Sequence, residues 1–210
     1  MQTTSNAEHT LIQAAQNGDL EAFNALILKY QDMLYRIALR ILHDEADASD
    51  ALQNALIQAF CNLCAFRGGS LKSWLARVTI NASYDELRRT KRHVAIPLEQ
   101  YTQDGDEIES PYWMVDPAAG PEDVSESKEL QNAIQRCLRS LTPEYRLVLI
   151  LVDIEGMSYE EAARAARIPV GTVKSRLARA RMQLRRSLRG FPHLLPEVYR
   201  RVEFSPLVSV

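Results

Sequence analysis

Between Leu20 and Ile41 an apolar residue returns to the same side at every helical turn, and this run limits the possible folds more than any other feature. Leu20, Phe23, Leu26/Ile27, Tyr30, Leu34, Ile37/Ala38 and Ile41 follow the 3.6-residue period of an amphipathic helix. Asp19, just ahead, can accept hydrogen bonds from the first free amides as an N-cap. The run predicts one long helix. A second helix is expected from about Ala46 to Ala65, with Leu52, Leu56, Phe60 and Leu63 on its apolar face. FRGGS breaks it, and Ser70 can start a third helix through Trp74, Leu75, Val78, Ala82 and Leu87. With a short helix near residues 7–16, these predict an N-terminal helical bundle.

The period is lost over residues 95–124, where Pro97, Gly105, Pro111, Pro117, Gly120 and Pro121 sit among acids, the composition of a linker. Tyr112 and Trp113 are unusual in a passive spacer; they fit either docking on a neighbouring domain or contact with a partner. Helical periodicity returns from Ser125 through Leu130, Ile134, Leu138 and Leu141. Thr142 can cap a helix that has Pro143 at its first position, carries Leu147, Ile150 and Leu151, and stops at Gly156. Ser158 and Glu161 have the spacing of a capping box, opening a short Ala-rich helix over 159–166. Pro169-Val170-Gly171 is then expected to be the turn, with Thr172 capping the last helix. The predicted fold class is all-α. Two small helical domains, 1–94 and 125–189, are joined by the acidic Pro/Gly-containing linker 95–124, and 190–210 is an extension with no assigned role.

Charge is segregated along this frame although the net formal charge is only -2. Residues 163–189 carry nine basic side chains and no acid, whereas Glu99–Glu129 carry ten acids against Lys128 alone. Leu71–His93 hold six basic residues against Asp85 and Glu86. Two basic segments separated by an acidic one suggest two polyanion-facing surfaces joined by a solvated connector.

A short helix, a tight turn and a second helix with a basic outer face is the helix-turn-helix pattern. Ala162, Ala163 and Ala166 let the two helices cross closely, and Val173, Leu177, Ala180, Leu184 and Leu188 form a buried stripe. Lys174, Ser175, Arg176 and Arg179 then lie where a recognition helix meets base edges and phosphates. Arginine can take guanine bidentately, while lysine and serine more often hold phosphate. The alternative is a merely solvated basic face, but such faces usually intersperse acids and this one has none.

The segment GMSYEEAARAARIPVGTVKSRLARARMQLRRSL resembles region 4 of the extracytoplasmic-function (ECF) group of the sigma-70 family of bacterial RNA polymerase sigma factors, and LTPEYRLVLIL is similar to the helix before it. AFNALILKYQDMLYRIALRIL, DEADASDALQNALIQAF and FRGGSLKSWLARVTINASYDELRR resemble successive parts of region 2. The resemblance covers residues 10–93 and 125–189, in the expected order. Ser49 and Asn54 stand where the family usually has acids, Ala163 stands where isoleucine is usual, and 190–210 lie outside the pattern.

This resemblance implies a non-enzymatic subunit that brings core RNA polymerase to promoters and helps open them, under control of an anti-sigma factor. It implies that Asp47, Asp50 and Gln53, spaced to share one helix face, meet the polymerase. The implied −10 set is Phe66, Arg67, Ser70, Trp74, Asn81, Asp85, Arg88, Arg89 and Arg92. Capturing an unstacked base needs a pocket, polar groups for its edge and cations for the backbone. Phe66–Leu71 could supply the pocket, Asn81 and Asp85 the readers, and Arg88, Arg89 and Arg92 the cations; Trp74 also reads as core. The implied −35 set is Ser158, Tyr159, Thr172, Val173, Lys174, Ser175, Arg176 and Arg179.

No metal, cofactor or catalytic constellation is expected, and His9, His43, His93 and His193 are scattered. Cys61 and Cys64 lack a second ligand pair, so they read as small buried or half-buried structural residues. The N-terminus lacks the basic start and apolar stretch of a secretory signal, so the expected location is the cytoplasm. The alternative function is a helix-turn-helix regulator that is not a polymerase subunit. The response-regulator version of it would require an α/β domain where the N-terminal helical period stands.

Overall fold

The computed structural model describes residues 2–93 and 133–188, with side chains described over 7–90 and 133–188. The linker, its Tyr112 and Trp113, and the extension 190–210 lie outside the described residues. Everything described is helix or turn, with no strand among the described residues.

Helix α1 spans Gln2–Gln16, α2 Leu20–Leu28, α3 Gln31–Leu42, α4 Glu45–Asn62 and α5 Leu71–His93, with a short 3₁₀ turn at Leu63–Ala65. After 133–139 (α6) come α7 Pro143–Leu149, a π-helical turn Ile150–Ile154, α8 Tyr159–Ala166 and α9 Val170–Leu188. These belong to two compact units. The first holds α1–α5 with Pro143–Ala178, and the second holds, among the described residues, 133–142 and 179–188.

In the first unit α3, α4 and α5 pack on one another, α1 packs on α2, and α8 packs on α5. The core is built from Leu26, Leu34, Ile37, Leu63, Leu75, Ile150 and Leu151, all fully or almost fully buried. Each such side chain contributes about 1.5–3 kcal/mol of hydrophobic stabilisation. In the second unit Ala133, Cys137, Leu138 and Leu141 are buried, and the Ser140 and Ser187 hydroxyls meet at 3.2 Å.

The helix starts follow the sequence closely. The Asp19 carboxylate accepts from the amides of Glu21 and Ala22, and Asp44 accepts from that of Asp47. Ser70 Oγ accepts from the Ser73 amide at 3.2 Å. The Ser158/Glu161 capping box forms in both directions at 3.1 Å.

Two local expectations are corrected. The single long helix over residues 20–41 is two helices, because Tyr30 leaves helical geometry at φ -119°. Its amide tightens onto the Ile27 carbonyl at 2.8 Å, and its hydroxyl donates to Glu8 at 2.8 Å. A bend leaves the apolar period intact when both arms face one core, so the pattern could not reveal it. The second correction concerns the turn before α9. Arg167 takes the left-handed conformation at φ 55° and ends α8, so the reversal uses Arg167-Ile168-Pro169. Val170 and Gly171 are already helical, and the Pro169 carbonyl accepts from Val173 at 3.0 Å. Thr172 is therefore inside the first turn and caps nothing; its carbonyl accepts from Ser175 Oγ at 3.1 Å.

Candidate nucleic-acid interface

The loop between α4 and α5 turns at Gly68 and Gly69, with φ 96° and 94°. Consecutive left-handed residues favour glycine, since a Cβ there meets the neighbouring carbonyl oxygen. The turn opens a pocket of about 260 Å³ lined by Phe66, Arg67, Ser70, Ser73, Trp74 and Arg77, with Arg164 of α8 at its edge. A cavity of roughly 150 Å³ holds a benzene ring, so this one has room for a base. Phe66 is buried and packs its ring 5.6 Å from that of Trp74, which is half-buried. Phe66 therefore acts as wall rather than as an exposed stacking platform. Arg67 is exposed.

Along α5, Asn81, Asp85 and Arg88 recur at i, i+4, i+7 and are all exposed. Arg88 holds Asp85 at 2.7 Å, and Arg89 holds the buried Glu86 at 2.8 Å. That second bond raises the proton affinity of the Arg89 guanidinium. The Arg88–Asp85 pair is exposed and worth about 0–1 kcal/mol, so Arg88 can exchange its carboxylate for phosphate at small cost. Arg89 is the partner of a buried carboxylate and is more firmly held. Arg92 belongs to α5, but its side chain lies outside the described residues.

On α4, Asp50 and Gln53 are exposed one turn apart, and Asp47 is half-buried one turn earlier. Burial first, then the carboxylates of Asp44 and Glu86, push the Asp47 carboxyl up. Asp50 and Gln53 are thus the accessible members of that face.

In the helix-turn-helix, Lys174, Ser175 and Arg179 are exposed, Arg176 is half-buried and holds Glu144 at 3.0 Å, and Lys174 lies 5.7 Å from the centre of the Tyr159 ring. Val173 is completely buried, together with Leu177 and Ala180, so its side chain belongs to the core stripe and cannot touch DNA. Leu184 and Leu188 are only half-buried. Ser158 is occupied by the capping box, and with it a backbone hydrogen bond holds the Glu160 carboxyl down at the start of α8. Cys61 and Cys64 are both exposed, contrary to the buried or half-buried reading; Cys64 Sγ donates to the Gln16 carbonyl at 3.3 Å. Among the described residues no group of three or more His, Cys, Asp or Glu is arranged to hold a metal ion.

Sequence reasoning missed one constellation. Glu155, at the end of the π-helical turn, has a fully buried side chain held by Arg36 at 2.7 Å and Arg40 at 3.2 Å. Its carbonyl accepts from Lys72 Nζ at 3.4 Å. The available signal was an acid at a helix C-terminus, the end where the macrodipole disfavours it.

Comparison with known proteins fits this geometry. Residues 26–93 match the family model described as Sigma-70 region 2, and residues 131–184 match Sigma-70, region 4. The chain is 38% identical over 185 residues to the ECF RNA polymerase sigma factor SigM of Mycobacterium tuberculosis, covering 88% of this chain and 85% of SigM. It is 33% identical over 187 residues to the RNA polymerase sigma-H factor of Pseudomonas aeruginosa, covering 88% and 95%. Its fold is similar to that of the sigma factor RpoE of Bartonella quintana, solved with the anti-sigma factor NepR, at a TM-score of 0.60 and 24% identity over 81% of this chain and 98% of that one. With region 2 and region 4 both matched in order and relatives aligned over most of its length, the chain belongs to the ECF group of the sigma-70 family of RNA polymerase sigma factors.

Proposed function

We propose that this chain brings core RNA polymerase to its promoters through three separate surfaces. Sigma factors are initiation factors without catalysis of their own, and no enzymatic step is assigned to this one. The exposed Asp50 and Gln53, with Asp47 beside them, meet the polymerase; the 66–70 loop and the α5 face take the −10 element; the outer face of α9 takes the −35 element. The working division of the chain is 1–94 for polymerase and −10, and 125–189 for −35. The working location is the cytoplasm, and an anti-sigma factor is the expected regulator, as in the B. quintana complex. No helix among the described residues is long and apolar enough to cross a membrane.

The observation that carries the −10 reading is the pocket. A loop of two left-handed glycines opens beside an aromatic pair, next to a helix face bearing an amide, a carboxylate and arginines. Promoter opening requires a base to leave the stack, at a cost of a few kcal/mol. A preformed pocket offsets that cost, and α5 cations hold the strand on either side of the captured base. On α9 the task differs, because a duplex enters whole and is read in its groove. Lys174 and Ser175 suit phosphate, and Arg176 and Arg179 suit base edges.

The polymerase surface is tested by the double substitution Asp50→Arg, Gln53→Ala. Neither side chain is in the core, so helical content and DNA affinity should be unchanged. Placing a like charge against a basic partner face costs several kcal/mol, and core polymerase should no longer be pulled down. Normal pull-down by the folded variant would show that the binding face lies elsewhere.

A further inference from the structure

Cys61 and Cys64 are both exposed, and neither belongs to any of the three binding surfaces. They stand where α4 gives way to the 3₁₀ turn Leu63–Ala65. Helix rise and radius put residues three apart at a Cα separation of about 5 Å, inside the range of about 4.4–6.8 Å that a disulfide spans. The Cβ atoms of a regular helix are about 5–6 Å apart at this spacing, which is about 1–2 Å too far for the bond. The backbone here is not a regular helix. Asn62, between the two cysteines, has left helical geometry at φ -107° and ψ 8°. In the 3₁₀ turn that follows, side chains three apart eclipse. The change of helix type therefore turns Cys64 toward Cys61, and a small movement of the turn closes the remaining gap.

That turn does not move alone, because α1 ends on it. Gln16 Nε2 donates to the Leu63 carbonyl at 3.1 Å and to the Phe66 carbonyl at 2.9 Å. The Gln16 carbonyl accepts from Cys64 Sγ at 3.3 Å, and the Phe66 amide donates to the Leu63 carbonyl at 2.9 Å. Phe66 is the buried wall of the pocket and packs on Trp74. The Cys64 thiol, the end of α1 and one wall of the pocket thus share a single hydrogen-bonded cluster. A disulfide removes the S–H, takes that donor from the Gln16 carbonyl and draws residue 64 away from α1.

We propose that Cys61 and Cys64 form a thiol–disulfide site, closed by exchange with a low-molecular-weight disulfide, and that closure displaces the Phe66 wall and weakens capture of single-stranded DNA. The effect on DNA rests on the assignment of this pocket to the −10 element. Cys61, whose thiol is not tied to the Gln16 carbonyl, attacks one sulfur of the small disulfide as a thiolate. A mixed disulfide forms and one small thiolate leaves. The Cys64 thiolate then attacks the Cys61 sulfur, making the Cys61–Cys64 bond and expelling the second small thiolate. The two protein thiols give up two electrons and two protons, and the small disulfide takes them as two thiols. Disulfides of cytosolic proteins are mostly transient and redox-sensing, and the labile ones are exposed or strained. This pair is exposed, and its closure works against the helix. Cys137 is buried and takes no part.

The test treats the full chain with oxidised glutathione, blocks the remaining thiols under denaturing conditions and digests with trypsin. Cleavage after Arg40 and Arg67 leaves Cys61 and Cys64, and no other cysteine, in the peptide 41–67. That peptide should lose two hydrogens relative to its dithiol form, while Cys137 is recovered blocked. In a Trp113→Phe background Trp74 is the only tryptophan of the chain, and its emission should shift on oxidation and return on reduction. Affinity for a fluorescent mixed-sequence single-stranded oligonucleotide should fall about fivefold, the effect of about one net hydrogen bond. The double substitution Cys61→Ser, Cys64→Ser keeps a donor for the Gln16 carbonyl. It should bind like reduced wild type and ignore the oxidant. Separate glutathione adducts on the two cysteines, or a disulfide-linked dimer, overturn the pairing. A closed pair with unchanged Trp74 emission overturns the coupling to the pocket. A shifted emission with unchanged affinity leaves the thiol site standing and removes the pocket from the −10 element.

Discussion

Arg88 and Arg89 on α5 each have an acid one turn back on the same helix, Asp85 and Glu86, whereas α9 carries no acid along its whole length. The difference fits the proposed division of labour. On that proposal region 2 admits a base into a pocket and releases it, and there Arg88 is lightly committed to an exposed acid while Arg89 holds a buried one. Region 4, on the same proposal, attracts an intact duplex, and a basic helix with no acid of its own does that over a Debye length of about 8 Å at physiological salt. Arg176 does have a partner, but Glu144 comes from α7 and is itself 64% exposed. The neutralising acid is therefore on another element and easily displaced.

The largest effect that sharpens this contrast is predicted at Val173. The side chain has no exposed surface, so Val173→Ala should lower stability by about 2 kcal/mol through lost burial and a partial cavity. Thermal unfolding reads the loss. Below the transition, affinity for a duplex fragment of a promoter that the holoenzyme transcribes should be unchanged. Weakened binding by a protein of normal stability would return Val173 to the recognition face and shrink the buried stripe.

Arg176 comes next. Arg176→Ala should weaken binding of the −35 duplex by about 1–3 kcal/mol if the guanidinium reads a base. Glu144→Gln should leave that affinity unchanged or raise it, because an exposed pair stabilises by no more than about 1 kcal/mol. Equal binding by Arg176→Ala and wild type across salt concentrations would move base reading away from this position.

Much of this architecture could be read from residues because its determinants are local. Ser70, Ser158 and Glu161 act within one helical turn, and the structure forms the caps their spacing predicts. What escaped the sequence depends on distant partners or on geometry that the apolar period does not encode. Tyr30 keeps its place in the period while its hydroxyl is drawn to Glu8, and the helix breaks. Val173 reads as buried from its spacing to Leu177 and Ala180 and as a DNA contact from resemblance alone, and the packing of α9 sides with the spacing. Glu155 is 119 residues from Arg36, so nothing in its neighbourhood announces the pairing. The two cysteines show the limit in the other direction: apolar flanks suggested burial, but Cys61 and Cys64 face outward beside the short 3₁₀ turn.

The smallest predicted effect addresses the contrast most directly. Lys174 and Arg88 are both exposed cations on helix faces assigned to DNA, so a plain count of charges makes their removal equivalent. Their surroundings say otherwise. Lys174 stands over the Tyr159 ring, and α9 supplies no acid. The Glu160 carboxylate of α8 acts on the ammonium only through space, whereas Arg88 is in ion-pair contact. Arg88 lies 2.7 Å from Asp85, and at the distance of an approaching phosphate the two charges largely cancel. Each phosphate neutralised by a protein cation releases condensed counterions and adds about one unit to the slope of log affinity against log salt. Lys174→Ala should therefore flatten that slope for promoter duplex by about one unit. Arg88→Ala should flatten the corresponding slope for single-stranded DNA by clearly less than the 0.7 or so expected of an unpaired cation. Asp85→Asn, which frees Arg88, should steepen it. If Arg88→Ala flattens its slope by the full amount expected of an unpaired cation, pairing within α5 does not moderate its charge, and the two surfaces differ in shape alone.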